Sequence, residues 1–128
     1  MFAFFRSLNY PNAPITEMKP ASAGTYAVGQ ALVLSGGALA TASGTTAPAY
    51  ISAFAGTVAA GVKIPVTPVN GQQWKVPVSA APTALNAGDK VTIGSDGLTV
   101  TATTTSGVAK IVDKLSAAAS GDDVLVQF

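Results

Sequence analysis

The chain reads twice. The stretch VGQALVLSGGALATA from Val28 is laid out like AGDKVTIGSDGLTVT from Ala87. Gly29 aligns with Gly88, Leu32 with Val91, Leu34 with Ile93 and Leu39 with Leu98, at a spacing of 59. After one inserted residue, AYI at 49–51 aligns with AKI at 109–111. AGVKIPV from Ala60 then aligns with SGDDVLV from Ser120, so Gly61 matches Gly121, Ile64 matches Val124 and Val66 matches Val126 at a spacing of 60. Landmarks kept in one order mark an internal duplication, so the chain should consist of two similar supersecondary units.

Each unit has the pattern of β structure. Leu32 and Leu34, and Val91 and Ile93, alternate with period two, and the turn signals SGGA and GSDGL follow them. The Asp96-Gly97 pair suits a tight hairpin, because glycine tolerates positive φ. Further strand patterns are YISAF, VKIPVTPV, QQWKVPVS, AKIVDKL and DVLVQF. Proline costs a strand a ladder hydrogen bond, so VKIPV and WKVPV are expected at sheet edges or partly unpaired. No long amphipathic helix is present, and the residue mixture is rich in Ala, Val, Thr and Gly with 10% charge. The expected fold is all-β, a small β-sandwich or barrel built from two similar units, with an extended N-terminal arm. The expected organisation is an arm over 1–22 and a duplicated domain over 23–128. Within the domain, repeats at 25–67 and 86–128 flank a linker strand at 68–85.

The arm, MFAFFRSLNYPNAPITEMKP, carries Phe2, Phe4 and Phe5 ahead of Pro11, Pro14 and Pro20. Prolines keep it extended. The phenylalanines are expected to dock on a partner rather than complete their own domain's core. Phe2 and Phe4, at strand spacing, are expected to share a face. The basic residue follows the short apolar run, which is unlike a signal peptide. No apolar window reaches the length of a membrane span. Between Lys19 and Lys63 there is no Asp, Glu, Lys or Arg. So long an uncharged surface suits a subunit packed among neighbours. Part of 21–62 is therefore expected in a homo-oligomer interface.

Chemistry is hard to build from these residues. The chain has no histidine and no cysteine, which removes Ser-His, Cys-His and thiolate or imidazole metal sites. No S-x-x-K motif occurs. The acids are Glu17 and five aspartates. Asp96 belongs to a turn, and Asp89, Asp122 and Asp123 fall at strand starts. Asp122 and Asp123 lack EF-hand spacing for calcium. SGGALATASG lacks a P-loop lysine. Trp74, the only tryptophan, is expected to anchor a core or interface. With a net charge of +1 and scattered basic residues, a phosphate-binding patch is not expected. The expectation is no enzyme, no cofactor, no metal, no nucleic acid and no membrane.

The second half, LNAGDKVTIGSDGLTVTATTTSGVAKIVDKLSAAASGDDVLVQF, resembles small capsid decoration proteins of tailed bacteriophages, also called cement or head-fibre proteins. The resembling features are the AGDKV strand start, the GSDGL turn, the GVAKIV strand and the closing SGDDVLVQF. The first half repeats this layout more loosely, and the arm is similar to the start of such proteins. The resemblance implies a structural virion protein on the outer surface of the capsid, made in the host cytoplasm. It would bind the major capsid protein and stabilise the shell, with a homotrimer favoured. Candidate capsid contacts are Phe2, Phe4, Phe5, Arg6 and Tyr10. Other readings of the residues are a β module of a tail fibre or surface adhesin, or a glycan-binding β domain.

Overall fold

The computed structural model describes residues 1–8 and 15–128. Among the described residues the chain is all-β, a small β-sandwich of antiparallel sheets with no closed barrel. The strands are β1 (Ala3–Ser7), β2 (Glu17–Pro20), β3 (Gly24–Tyr26), β4 (Ala31–Ser35), β5 (Ala38–Thr41) and β6 (Tyr50–Ser52). They continue as β7 (Gly56–Val58), β8 (Lys63–Pro68), β9 (Gln72–Pro77), β10 (Lys90–Val91), β11 (Ala109–Asp113) and β12 (Asp123–Gln127). One five-stranded sheet runs β2-β8-β6-β4-β5 and the other β1-β9-β12-β11-β10, while β3 and β7 form a separate ribbon.

Without β1 and β5, the two sheets have one strand order. β2 corresponds to β9, β8 to β12, β6 to β11 and β4 to β10. The registers agree as well. Lys19 opposite Ile64 repeats as Val76 opposite Val124, and Glu17 opposite Val66 repeats as Trp74 opposite Val126. Ala31 opposite Ile51 repeats as Lys90 opposite Lys110. The turn before β4 recurs too. Ala27 N–H donates to Gln30 Oε1 at 3.1 Å, and Asn86 N–H donates to Asp89 Oδ2 at 2.8 Å. Gly29 (φ 75°) and Gly88 (φ 98°) supply the left-handed backbone that both turns require.

The unit limits differ from those the sequence suggested. Each unit opens with its own strand, β2 or β9, so residues 68–85 contain the start of the second unit rather than a linker. Nor does 1–22 stand apart as an arm, because β1 adds to β9 in one sheet and β2 lies in the other. The single inserted residue falls at Val112, where β11 bulges between Ile111 and Asp113. Backbone bonds before it keep a constant spacing: Ser52 N–H donates to Gln30 C=O, and Ile111 N–H to Asp89 C=O. The partner of Ile111 is therefore Ser52, and Ile51 corresponds to Lys110.

Burial follows this correspondence. Leu32 and Val91, Ile64 and Val124, Val66 and Val126, Ala21 and Val78, and Tyr26 and Leu85 are buried in both units. The partner of Leu39 is Val100 rather than Leu98, because the second hairpin is longer. Leu34 faces Leu39, whereas Ile93 bridges to Val100. The first unit encloses Leu32, Leu39, Ile64, Val66, Ala21 and Tyr26. The larger cluster fills the second unit and takes in Ala31, Ala42, Ile51 and Val69 from the first. Part of the uncharged span thus packs against the chain's own second unit.

The proline-bearing strands are interior, not edges: β8 lies between β2 and β6, and β9 between β1 and β12. Position within the strand makes this tolerable. Pro65 accepts a bond from Ala53 N–H at 3.0 Å, just past the end of β6. Pro77 lies beyond the reach of β1, whose first strand residue, Ala3, is opposite Lys75.

Candidate functional site

The opening stretch divides its phenylalanines. Phe2 is 2% exposed and packs on Phe128 at a ring separation of 5.6 Å. Its N–H donates to Gly29 C=O at 2.8 Å, which ties the N-terminus to the first unit. Phe2 therefore belongs to the domain's own core, contrary to the expectation that it docks on a partner. Phe4 is partly exposed and lies edge-on to Trp74, with centroids 6.0 Å apart. A bulge then shifts the register between Phe4 and Arg6, so Phe5 has no opposite number on β9. Phe5 is 48% exposed, with the Arg6 guanidinium 6.0 Å from its ring centre. Arg6 Nε donates to Gln73 Oε1 at 2.7 Å, which fixes its stem along the sheet. Tyr10 lies outside the described residues.

Beside Phe5 is an open cleft of about 510 Å3. Phe5, Leu115 and Ala117 give it apolar walls, and Lys75 and Asp123 pair across it at 3.2 Å. The 115–116 corner is held in the left-handed region, with Leu115 at φ 50° and Ser116 at φ 69°. Such conformations are unfavourable for residues with a Cβ and persist where surrounding bonds enforce them. Here Leu115 N–H donates to Asp113 Oδ1 at 2.9 Å. Asp122 Oδ2 accepts from Ala118 N–H and Ala119 N–H at 2.9 and 2.8 Å. Those two bonds hold its carboxyl below the usual carboxylate range. The result is an exposed Leu115 next to an exposed Phe5, a surface suited to an apolar side chain rather than to chemistry.

The aspartates that sequence reading singled out have structural partners. Asp96 accepts from Leu98 N–H in its turn, Asp89 clasps Asn86, and Asp122 and Asp123 are engaged as above. Among the described residues, no group of three or more His, Cys, Asp or Glu could hold a metal ion. Trp74 is buried under β1, and among the described residues its Nε1–H has no partner.

A second exposed surface lies on the first unit. Ile15 is 84% exposed and Met18 57%, at the outer edge of β2. Neither these two residues nor Leu115 carries a signal in the sequence that marks it as a surface contact. Leu115 closes the strand pattern AKIVDKL, but the strand ends at Asp113 and Leu115 falls in the left-handed corner beyond it. Ile15 and Met18 lie three residues apart with no apolar alternation between them, and the edge position of β2 depends on long-range pairing.

No protein-family model matches the chain, and no curated protein matches it. What the fold defines is a class: a β domain of two units with one strand order, extended at its N-terminus by an added strand.

Proposed function

We propose that the protein is a structural subunit that binds the outside of a phage head and cements the major capsid shell. The observation that carries this reading is the pair of exposed apolar side chains, Phe5 of edge strand β1 and Leu115, lining one open cleft. The resemblance of AGDKV, GSDGL, GVAKIV and SGDDVLVQF to capsid decoration proteins supplies the partner. Edge strands accept added strands through main-chain bonds, with side-chain pockets for specificity. Many such weak contacts on one shell act together, so each can remain moderate. Burying the exposed half of a phenylalanine contributes about 1 kcal/mol, which suits a contact repeated over a lattice.

The test is co-sedimentation with shells assembled from a tailed-phage major capsid protein of the same genome as this chain, together with the heat stability of those shells. Phe5→Asp should abolish binding while leaving the free protein's melting temperature nearly unchanged. Undiminished binding by that variant would remove the β1 patch from the interface. No binding of the native chain to those shells would sink the reading itself.

A further inference from the structure

The duplication exposes an inequality between the two sheets. In the second unit, the outer edge of β9 is covered by β1, with Ala3 opposite Lys75, Phe4 opposite Trp74, Arg6 opposite Gln73 and Ser7 opposite Gln72. By register, those β9 residues correspond to Met18, Glu17, Thr16 and Ile15. Gln72, Gln73 and Trp74 are buried, while Ile15, Thr16, Glu17 and Met18 are all exposed. Among the described residues, no strand pairs with the outer side of β2.

The geometry points to a second copy of this chain as the occupant, with β2 pairing antiparallel to its own counterpart about a two-fold axis through Met18. Backbone direction and charge both support this occupant. Ala21 exchanges bonds with the β8 side, donating to Val62 C=O and accepting from Gly61 N–H. Groups alternate along a strand, so Lys19 and Glu17 also face β8, while Thr16, Met18 and Pro20 face outward. In a two-fold pair, Met18 exchanges both its bonds with its counterpart. Thr16 N–H donates to the C=O of the other copy's Pro20, and the proline's missing N–H removes only the reciprocal bond.

The side chains are complementary in the same register. Glu17 and Lys19 share one face, as their 3.1 Å ion pair shows. Across the axis, each Glu17 lies directly opposite the other copy's Lys19, in the closer, non-hydrogen-bonded pairs. On the opposite face, Met18 meets Met18. β1 of a second copy is a poorer occupant, because it already covers Trp74. The pairing is isologous, so it closes at two chains. This differs from the three-fold assembly that the resemblance implies, and it does not depend on the capsid reading.

Sedimentation of the full chain over a range of concentrations should show a monomer–dimer equilibrium. Glu17→Lys and Lys19→Glu each place like charges opposite one another twice, and each should weaken the dimer about tenfold. The double variant restores opposite charges and should return to within about threefold of the native affinity. The chain has no cysteine, so Met18→Cys offers one thiol at the axis, where a hydrogen-bonded pair has a Cα separation of about 5.5 Å, within disulfide range. Oxidation should cross-link that variant readily, and Leu34→Cys, at the other end of the sheet, should not. A native chain that stays monomeric or assembles as a trimer would overturn the proposal. So would a double variant no better than the singles, or equal cross-linking at both cysteine positions.

Discussion

Phe2→Ala is the sharpest test of how the N-terminal stretch is used. Phe2 is 2% exposed and sits in the larger core cluster, against Phe128 and beside residues from both units. Removing a buried phenylalanine side chain loses its transfer free energy and leaves a cavity, typically about 3–5 kcal/mol. A single domain holds only about 5–15 kcal/mol in all. For a chain of this size, the loss should lower the melting temperature by roughly 10–20 °C. Phe5→Ala is the internal control. Phe5 is about half exposed at a bulge, so its removal should cost about 0.5 kcal/mol or less. Urea unfolding followed by Trp74 fluorescence reads both variants, because the only tryptophan lies under β1 beside Phe4. The reasoning fails if Phe2→Ala costs less than about 1 kcal/mol, or if Phe5→Ala is equally damaging.

The two turn glycines should respond unequally to alanine. At Gly88 a Cβ meets nothing within 4 Å, so Gly88→Ala should cost only the left-handed backbone strain of about 1–2 kcal/mol, whereas at Gly29 a Cβ would lie 2.6 Å from the Met1 side chain and 2.8 Å from Phe2 C=O. Gly29→Ala should therefore be the more destabilising in urea and should loosen the N-terminus in hydrogen exchange. The Asp122 carboxyl is held below its ordinary value of 3.8, so its contribution is present above that pH and is lost as pH falls through the lower folded value. The protection of the Ala118 and Ala119 amides, taken as exchange relative to the intrinsic rate at each pH, should fall as pH drops below that value, and Asp122→Ala should remove that fall. The exposed Lys75–Asp123 pair should show a coupling of at most about 1 kcal/mol in a double-mutant cycle, screened away by high salt.

Positions inside strands were the most legible part of this fold. Leu32 with Val91, Ile64 with Val124 and Val66 with Val126 stand out because a strand with one buried face repeats apolar residues every second position. Alignment failed where loop lengths changed. The longer second hairpin brings Val100 to the place of Leu39, although Leu98 matches by simple spacing. The opening strands of the units, EMKPA and QQWKVPV, share no apolar pattern, because Trp74 and Val76 stand where the first unit has Glu17 and Lys19. Pro20 and Pro77, each just ahead of a buried Ala21 or Val78, were the only local signal. At the candidate surface, Phe5 was legible as an apolar residue beside Arg6. Phe2 was not separable from it, because the bulge that turns Phe5 outward is a property of the β1–β9 pairing.

Two substitutions between the units explain why the stack of sheets stops at two. The outer face of the first sheet carries Ala31 and Ile51, opposite one another, and both are buried against the second unit. The same two positions in the second sheet are Lys90 and Lys110, also opposite one another, and both are exposed. A third unit stacked in the same way would have to bury two like charges side by side without a partner, which is strongly unfavourable. The lysines therefore give the second unit a solvated back. Neighbours can then associate only through other surfaces. β1 and β2 offer such surfaces, one at each sheet's edge, and the apolar residues left exposed there are Phe4, Phe5, Ile15 and Met18.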